Sequence, residues 1–199
     1  MQKARECNLV LAGVGGQGVL LLAEILGNAA VEEGFNVRVS EIHGMAQRGG
    51  AVVSDVRIGE KTLAPTILEG TADAIVGLEP MEALRSIKYA SRKTLILINT
   101  AITKPGITSR SMAYPSLEAI LEKIRVFSKD IIKVDATAMA KALGNVAVQN
   151  IIMIGALAAT EKLPLKLETI RKSIRASINE KYVDINLKAF EAGLHQDSD

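Results

Sequence analysis

The chain has 199 residues, 48% of them hydrophobic, and its 24 basic and 22 acidic side chains leave a formal net charge of +2. That length suits one well-buried domain over residues 1–199, and the balanced charge, with no basic run long enough to track a phosphate backbone, argues against a nucleic-acid partner. Aromatics are only 3% with no Trp, so the core must be aliphatic, as in strands covered by helices on both faces.

Met1 to Glu6 is charged and runs straight into a strand-like segment, without the basic start, apolar middle and small-residue cleavage site of a secretory signal. The longest apolar stretches, Val19 to Leu26 and Ile151 to Ala159, are too short to span a bilayer. No membrane partner is expected, and the expected location is the cytoplasm. Cys7 is the single cysteine, so no internal disulfide or iron–sulfur cluster can be built from this chain. His43 and His195 are the only histidines, which leaves no transition-metal site. Any redox cofactor must sit on another chain.

Asn8 to Ala12 reads as a short buried strand that stops at Gly13. Gln17 to Glu33 has helical periodicity and closes at Gly34, and Phe35 to Ser40 alternates like a second strand. Right-handed crossover makes these two strands parallel. Val52 to Ile58 alternates again, and the turn Gly59-Glu60-Lys61 before Thr62-Leu63 predicts a hairpin or antiparallel excursion near residues 52–63. Ala74 to Leu78 is a buried strand, followed by a helix with Pro80 in its first turn that runs through Tyr89. Thr94 to Ile98 is a continuous buried strand ending in Asn99-Thr100. Ala101 to Ser116, with Pro105, Gly106 and Pro115, is a surface excursion. Then come a helix over Leu117 to Phe127, a strand over Ile131 to Val134, a helix from Asp135 to Gly144, and one capped by Asn145 that runs through Ala159. Amphipathic helices over Leu165 to Asn179 and Ile185 to Leu194 complete the chain. The fold class is α/β, a three-layer α/β/α sandwich on a Rossmann-like, mostly parallel sheet.

Two glycine-rich turns stand where strands run out: Gly13-Val14-Gly15-Gly16-Gln17-Gly18 and Glu41-Ile42-His43-Gly44-Met45-Ala46-Gln47-Arg48-Gly49-Gly50. At one edge of one sheet they would form a polar crevice. Gly13, Gly15 and Gly18 have the spacing of a dinucleotide-binding turn, with a strand before, a helix after and backbone N–H groups available to an anion. The acidic residue that should follow about 20 positions on is Glu41, 23 positions after Gly18 and late by a turn of loop. The bland alternative is that these glycines only let strand and helix pack tightly. Gln17 adds a donor and an acceptor for a ligand or a neighbouring chain. In the second turn, Arg48 offers a fork for carboxylate or phosphate and His43 titrates near neutrality. As a bland alternative, Arg48 pairs with Glu41 or Asp55 at the surface and His43 caps a turn. No nucleophile with an adjacent base, and no paired catalytic carboxylates, can be found, so no complete active site is legible. Asp135, Asn145 and Asn150 read as helix caps or joints, and a buried Asn150 needs a hydrogen-bond partner.

With these motifs in hand, the chain resembles the gamma-domain family of 2-oxoacid:ferredoxin oxidoreductases over nearly its whole length. The match runs through the Gly13 to Gly18 turn, Ser40 to Gly50, Val52 to Ile58, Glu79 to Leu84, Asn99-Thr100, Asp135 to Ala138, Asn150 and Gly155-Ala156. The Gly-Gly-Gln-Gly turn marks the wider family, and the His-Gly-Met-Ala-Gln-Arg-Gly-Gly loop is similar to that of its indolepyruvate branch. The resemblance implies a beta subunit beside a larger alpha subunit that holds thiamine diphosphate and the iron–sulfur clusters. It further implies that the complex decarboxylates aryl pyruvates, passes two electrons to ferredoxin and transfers the acyl group to coenzyme A. On that analogy Gly13, Gly15, Gly16, Gln17 and Gly18 form one wall on the coenzyme A side or at the subunit interface, and His43, Gln47, Arg48, Gly49 and Asn99 the other. A gamma subunit for pyruvate or another 2-oxoacid, a free-standing dinucleotide-binding protein and a purely structural adaptor remain the alternatives.

Overall fold

The apolar run after Glu6 folds as β1 (Cys7–Val14) and the helical repeat after it as α1 (Val19–Glu32). Gly18 takes the left-handed conformation at the N-cap of α1, with φ 81, which an L side chain adopts only at a cost. The next elements are β2 (Asn36–His43), β3 (Ala51–Gly59), β4 (Ala74–Gly77), α2 (Pro80–Arg85) and β5 (Leu95–Asn99). Then follow α3 (Leu117–Arg125), β6 (Ile131–Val134), α4 (Ala136–Ala142), α5 (Gln149–Ala159), α6 (Leu167–Ser177) and α7 (Glu180–Leu194). A computed structural model describes residues 6–43, 49–103, 114–160 and 162–196.

The six strands form one sheet in the order β2-β3-β1-β4-β5-β6. Only β3 runs against the rest, pairing antiparallel with β2 and with β1, so the sheet is mostly parallel in direction. As expected, β1 and β2 point the same way, but they are not neighbours: β3 is inserted between them, with Leu9 opposite Val56 and Val56 opposite Val39. The antiparallel excursion is real over Ala51–Gly59 and does not extend to Thr62-Leu63, which lie in irregular chain. Side chains hold that chain instead of a ladder. Arg57 donates to the Ala64 carbonyl at 2.8 Å and to Asn8 Oδ1 at 2.9 Å, and Asp55 Oδ2 accepts from the Ile67 N–H at 3.2 Å.

Alternation along β1 and β3 splits the core in two. Leu9, Leu11, Val56 and Ile58 face α1, α4, α5, α6 and α7, whereas Val10, Ile75, Ile96 and Ile98 face α2 and α3. Three helix limits depart from the periodicity. The helix expected to reach Tyr89 breaks after Arg85 into a single 3-10 turn at Ile87–Tyr89, and the one expected from Asn145 begins with such a turn before α5. Helix α7 starts at Glu180, ahead of the apolar repeat, because Asn179 caps it by accepting from the Lys181 N–H. The capping expectations for Pro80, Asp135 and Asn145 hold. Helices α5 and α7 touch backbone to backbone. A Cβ added at Gly155 would stand 2.2 Å from the Phe190 carbonyl oxygen, and one at Gly193 would stand 2.0 Å from that of Ile152.

Candidate functional site

Because five strands share one direction, the carboxyl ends of β1, β2, β4, β5 and β6 lie along one edge with the start of β3. From β1 the chain crosses to β2 by way of α1 on one face, and from β4 it crosses to β5 by way of α2 on the other. The connections therefore part between β1 and β4, where open α/β sheets offer a ligand crevice. Both glycine turns are at this edge, as the sequence suggested.

In the first turn the glycines serve two different ends. A Cβ on Gly13 would meet Gln17 Oε1 at 2.9 Å and Leu78 Cβ at 3.1 Å, and one on Gly18 would meet Asn150 Nδ2 at 2.3 Å, so these two allow close packing. Gly16, at φ 101, is exposed with open space around it. Gln17 is not offered to a ligand. It is 7% exposed and turned inward, where its Oε1 accepts from the Val14 N–H at 2.8 Å and its Nε2 donates to the Leu78 carbonyl at 3.2 Å and to Thr103 Oγ1 at 3.2 Å. The Gly15 N–H donates to the Gly50 carbonyl at 2.8 Å, and the Gln17 N–H to that of Val14 at 3.0 Å. Three amides of the would-be phosphate cradle are thus already bonded within the chain.

The second turn joins the first. β2 stays paired to its last residue, His43 opposite Val52, and Gly49, left-handed at φ 74, donates to the Gly15 carbonyl at 3.5 Å. His43 reaches the edge through its backbone. Its side chain, and Gln47 and Arg48 altogether, lie outside the described residues.

Asn99, wholly buried at the end of β5, continues the edge. Its Nδ2 donates to the Leu78 carbonyl at 3.1 Å and to Thr137 Oγ1 at 3.0 Å, and Thr137 Oγ1 donates to Gln149 Oε1 at 2.7 Å. Gln17 and Asn99 therefore converge on one carbonyl, and a polar bar crosses the ends of β1, β4 and β5. Asn150, the next residue of α5, finds the partner that its burial demanded by donating to the Gly18 carbonyl at 3.4 Å. Thr137 lies in the Asp135 to Ala138 stretch that carries the resemblance, whereas Gln149 carries no motif, and only the need of a buried Asn99 for partners could have pointed to it.

Beside the bar, Glu79 caps α2, its Oε2 accepting from the Met81 N–H at 2.7 Å and the Glu82 N–H at 3.2 Å, while Tyr114 donates to its other oxygen. Burial and the Glu79 carboxylate push the Tyr114 phenol up. Burial also raises Glu82, against the lowering effect of Arg85 at 2.7 Å. These acids hold helix α2 in place. Cys7 is buried at the start of β1, at the opposite end of the strand, and donates to the Lys162 carbonyl. Among the described residues no group of His, Cys, Asp and Glu could hold a metal ion, and no helix is long and apolar enough to cross a membrane.

A family model described as pyruvate ferredoxin/flavodoxin oxidoreductase matches residues 8–196. The chain belongs to that family. Within it, the indolepyruvate oxidoreductase subunit IorB of Archaeoglobus fulgidus is 41% identical over 190 residues, covering 95% of this chain and 94% of that one. The pyruvate/ketoisovalerate oxidoreductases common subunit gamma of Thermococcus kodakarensis is 26% identical, covering 92% and 93%. Among solved structures, the gamma subunit of keto/oxoacid ferredoxin oxidoreductase from Geobacter sulfurreducens has the same fold, with a TM-score of 0.69 at 23% identity over 94% of this chain and 95% of that one. The fold recurs within a longer chain in 2-oxoglutarate:ferredoxin oxidoreductase from Magnetococcus marinus, solved with 2-oxoglutarate, coenzyme A and succinyl-CoA bound. There the TM-score is 0.73 at 15% identity, covering 96% of this chain and 30% of that one. The edge of this family member is thus braced at its first turn, where Gln17 turns inward and Gly15 is bonded to both Gly49 and Gly50.

Proposed function

We propose that this chain is the beta subunit of an indolepyruvate:ferredoxin oxidoreductase, a single cytoplasmic domain over residues 1–199 that is inactive alone. The observation that carries this reading is 41% identity over 95% of the chain to an indolepyruvate oxidoreductase subunit, and at the strand ends Gln17 and Asn99 are both spent on the Leu78 carbonyl. The first turn exposes Gly16, and His43, Gln47 and Arg48 of the second turn join it in this reading as recognition groups. Kinship at 41% with an indolepyruvate subunit, against 26% with a pyruvate/ketoisovalerate gamma subunit, favours an aryl pyruvate as substrate.

In the assembled enzyme an aryl pyruvate, coenzyme A and two oxidised ferredoxins give aryl-acetyl-CoA, carbon dioxide, a proton and two reduced ferredoxins. Thiamine diphosphate and the iron–sulfur clusters belong to the larger alpha subunit, for which one buried cysteine is no substitute. Coenzyme A supplies the thiol that accepts the acyl group. Arg48, with a guanidinium suited to phosphate, and His43 and Gln47 beside it form the wall towards that co-substrate. Gly13, Gly15, Gly18 and Asn99 keep the wall in place. A free-standing dinucleotide-binding protein fits less well, because the amides of Val14, Gly15 and Gln17 are already bonded within the chain.

The test is co-purification of the chain with its partner from the native source, followed by turnover of indolepyruvate, phenylpyruvate, pyruvate and 2-oxoglutarate with coenzyme A and ferredoxin. Aryl pyruvates should be preferred, and Arg48→Ala should raise the KM for coenzyme A. Preference for pyruvate or 2-oxoglutarate, or tight stoichiometric binding of NAD, NADP or FAD by the isolated chain, would overturn the reading.

A further inference from the structure

At the edge of the sheet away from β2, the strand β6 has no outer neighbour among the described residues. Its inner side is paired: the Ile96 N–H donates to the Asp130 carbonyl at 2.8 Å, and the Thr100 N–H to that of Val134 at 2.9 Å. With a period of two along a strand, the backbone groups of Ile132 also face β5, and those of Ile131 and Lys133 point outward.

Helices on both faces reach past this last strand. Helix α3 belongs to the core on one face and α7 to the core on the other. A single cavity of about 620 Å³ is nevertheless lined by Leu121 and Arg125 of α3, Lys133 of β6, Met139 of α4, and Ala192 and His195 at the end of α7. One cavity can touch both helix layers only where the sheet between them has ended. Val126 and Phe127, 75% and 43% exposed, lead from α3 towards the same strand. The cavity lies where a seventh strand would continue the sheet, with Leu121 towards one layer and Met139 towards the other.

Charge narrows what can fill it. Lys133 is the one charged side chain on β6, and neither it nor Arg125 makes an ion pair among the described residues. Of the two acids that also line the slot, Asp135 is engaged in capping α4, where it accepts from the Ala138 N–H at 3.0 Å, and Glu118 lies in the first turn of α3, where a negative charge is favoured. A short edge strand with an outward lysine is a common guard against unwanted pairing, so an occupant must answer that charge.

We propose that β6 receives an extended segment of the partner subunit as a seventh strand, with apolar side chains towards Leu121 and Met139 and an acidic residue against Lys133. The backbone of Ile131 and Lys133 gives affinity, and the flanking helices and the lysine give selectivity. The inference rests on the proposed two-subunit assembly.

Hydrogen exchange resolved to single amides, measured on the purified complex and on the isolated chain, tests it. In the complex the amides of Ile131 and Lys133 should slow by roughly tenfold or more, and those of Ile132 and Val134, already bonded to β5, should change little. Lys133→Pro removes an outward N–H and no internal bond. It should leave the melting temperature of the isolated chain within about 3 °C of wild type and raise the Kd for the partner roughly tenfold. Lys133→Glu, which folds without the proline constraint, should weaken association by a similar factor, more so at low salt. Equal exchange in both states, or unchanged association of both variants, would overturn the inference. So would slow exchange already present in the isolated chain, which would mean that this chain or a second copy of it fills the slot. A complex that forms and protects β6 without turning over indolepyruvate would sink the proposed function alone. An active complex with β6 unprotected would sink only the strand, and absence of any complex would sink both.

Discussion

Replacing Gly193 by Ala should loosen the junction that carries the first turn of α5, and the geometry sets the scale. The new Cβ would lie 2.0 Å from the Ile152 carbonyl oxygen and 2.9 Å from the Ala156 nitrogen, both backbone atoms that cannot rotate away. The shortfall from an ordinary 3.4 Å contact is about 1.4 Å, so α5 and α7 must separate along their crossing. Overpacking of this kind costs roughly 1–3 kcal/mol, and rigid backbone on both sides places this case at about 3 kcal/mol. For a chain of this size that is a fall in Tm of roughly 6–12 °C. Gly27→Ala is the matched control: in mid-α1 its Cβ would meet only Val37 and Val39 methyls at 3.8 Å, and relief of helical glycine entropy should raise stability by up to about 1 kcal/mol. Thermal unfolding of both variants followed by circular dichroism reads the two directions. A Gly193→Ala protein melting within about 2 °C of wild type would show that the helices can part at no cost, and the reasoning from close approach would fail.

Two further changes bear on the edge and on the loop after β3. Gln17→Ala strands the buried Val14 N–H and removes a donor from the Leu78 carbonyl, so urea unfolding should report a loss of about 1–3 kcal/mol at unchanged m-value. A loss below about 0.5 kcal/mol would mean that the amide does not brace the turn. Asp55→Asn should uncover a pH dependence. Burial raises the Asp55 carboxyl above its ordinary value, despite the Ile67 N–H and the charges of Lys88 and Arg57. The folded state therefore binds the proton more tightly than the unfolded chain. Stability from this group is present below the ordinary carboxylate pKa and is lost as pH rises through the raised one. Asn keeps an acceptor for Ile67 without the charge, so its advantage over wild type in urea midpoint should be larger at about pH 8 than at about pH 4. A constant difference would contradict the assignment.

Strand positions were largely legible because burial writes itself in periodicity. The strand read over Thr94 to Ile98 forms as Leu95–Asn99, Ile131 to Val134 folds as read, and the crossover rule gives the common direction of β1 and β2. Their separation by β3 was not legible, since handedness fixes direction and says nothing of who sits beside whom. Val56 alternates as a strand residue must, but its two partners, Leu9 and Val39, lie far off in sequence and nothing local selects them. The edge where both turns lie is legible from its glycines, but which of its polar groups turn inward is not. Two preceding glycines make the Gln17 amide look available to a ligand or a neighbouring chain, whereas it is bonded inward. Its direction depends on a rotamer held by Leu78, which arrives from another strand. Gln149 is not legible, and Thr137 is legible only as part of a matching stretch, because isolated polar residues near helix starts usually face water.

The pairing of His43 with Val52, together with the Gly15 to Gly50 bond, gives the intervening segment two fixed attachment points in the sheet. The ends of β2 and β3 therefore hold one another in register through main-chain bonds, and a change of side chain at this edge leaves those bonds in place.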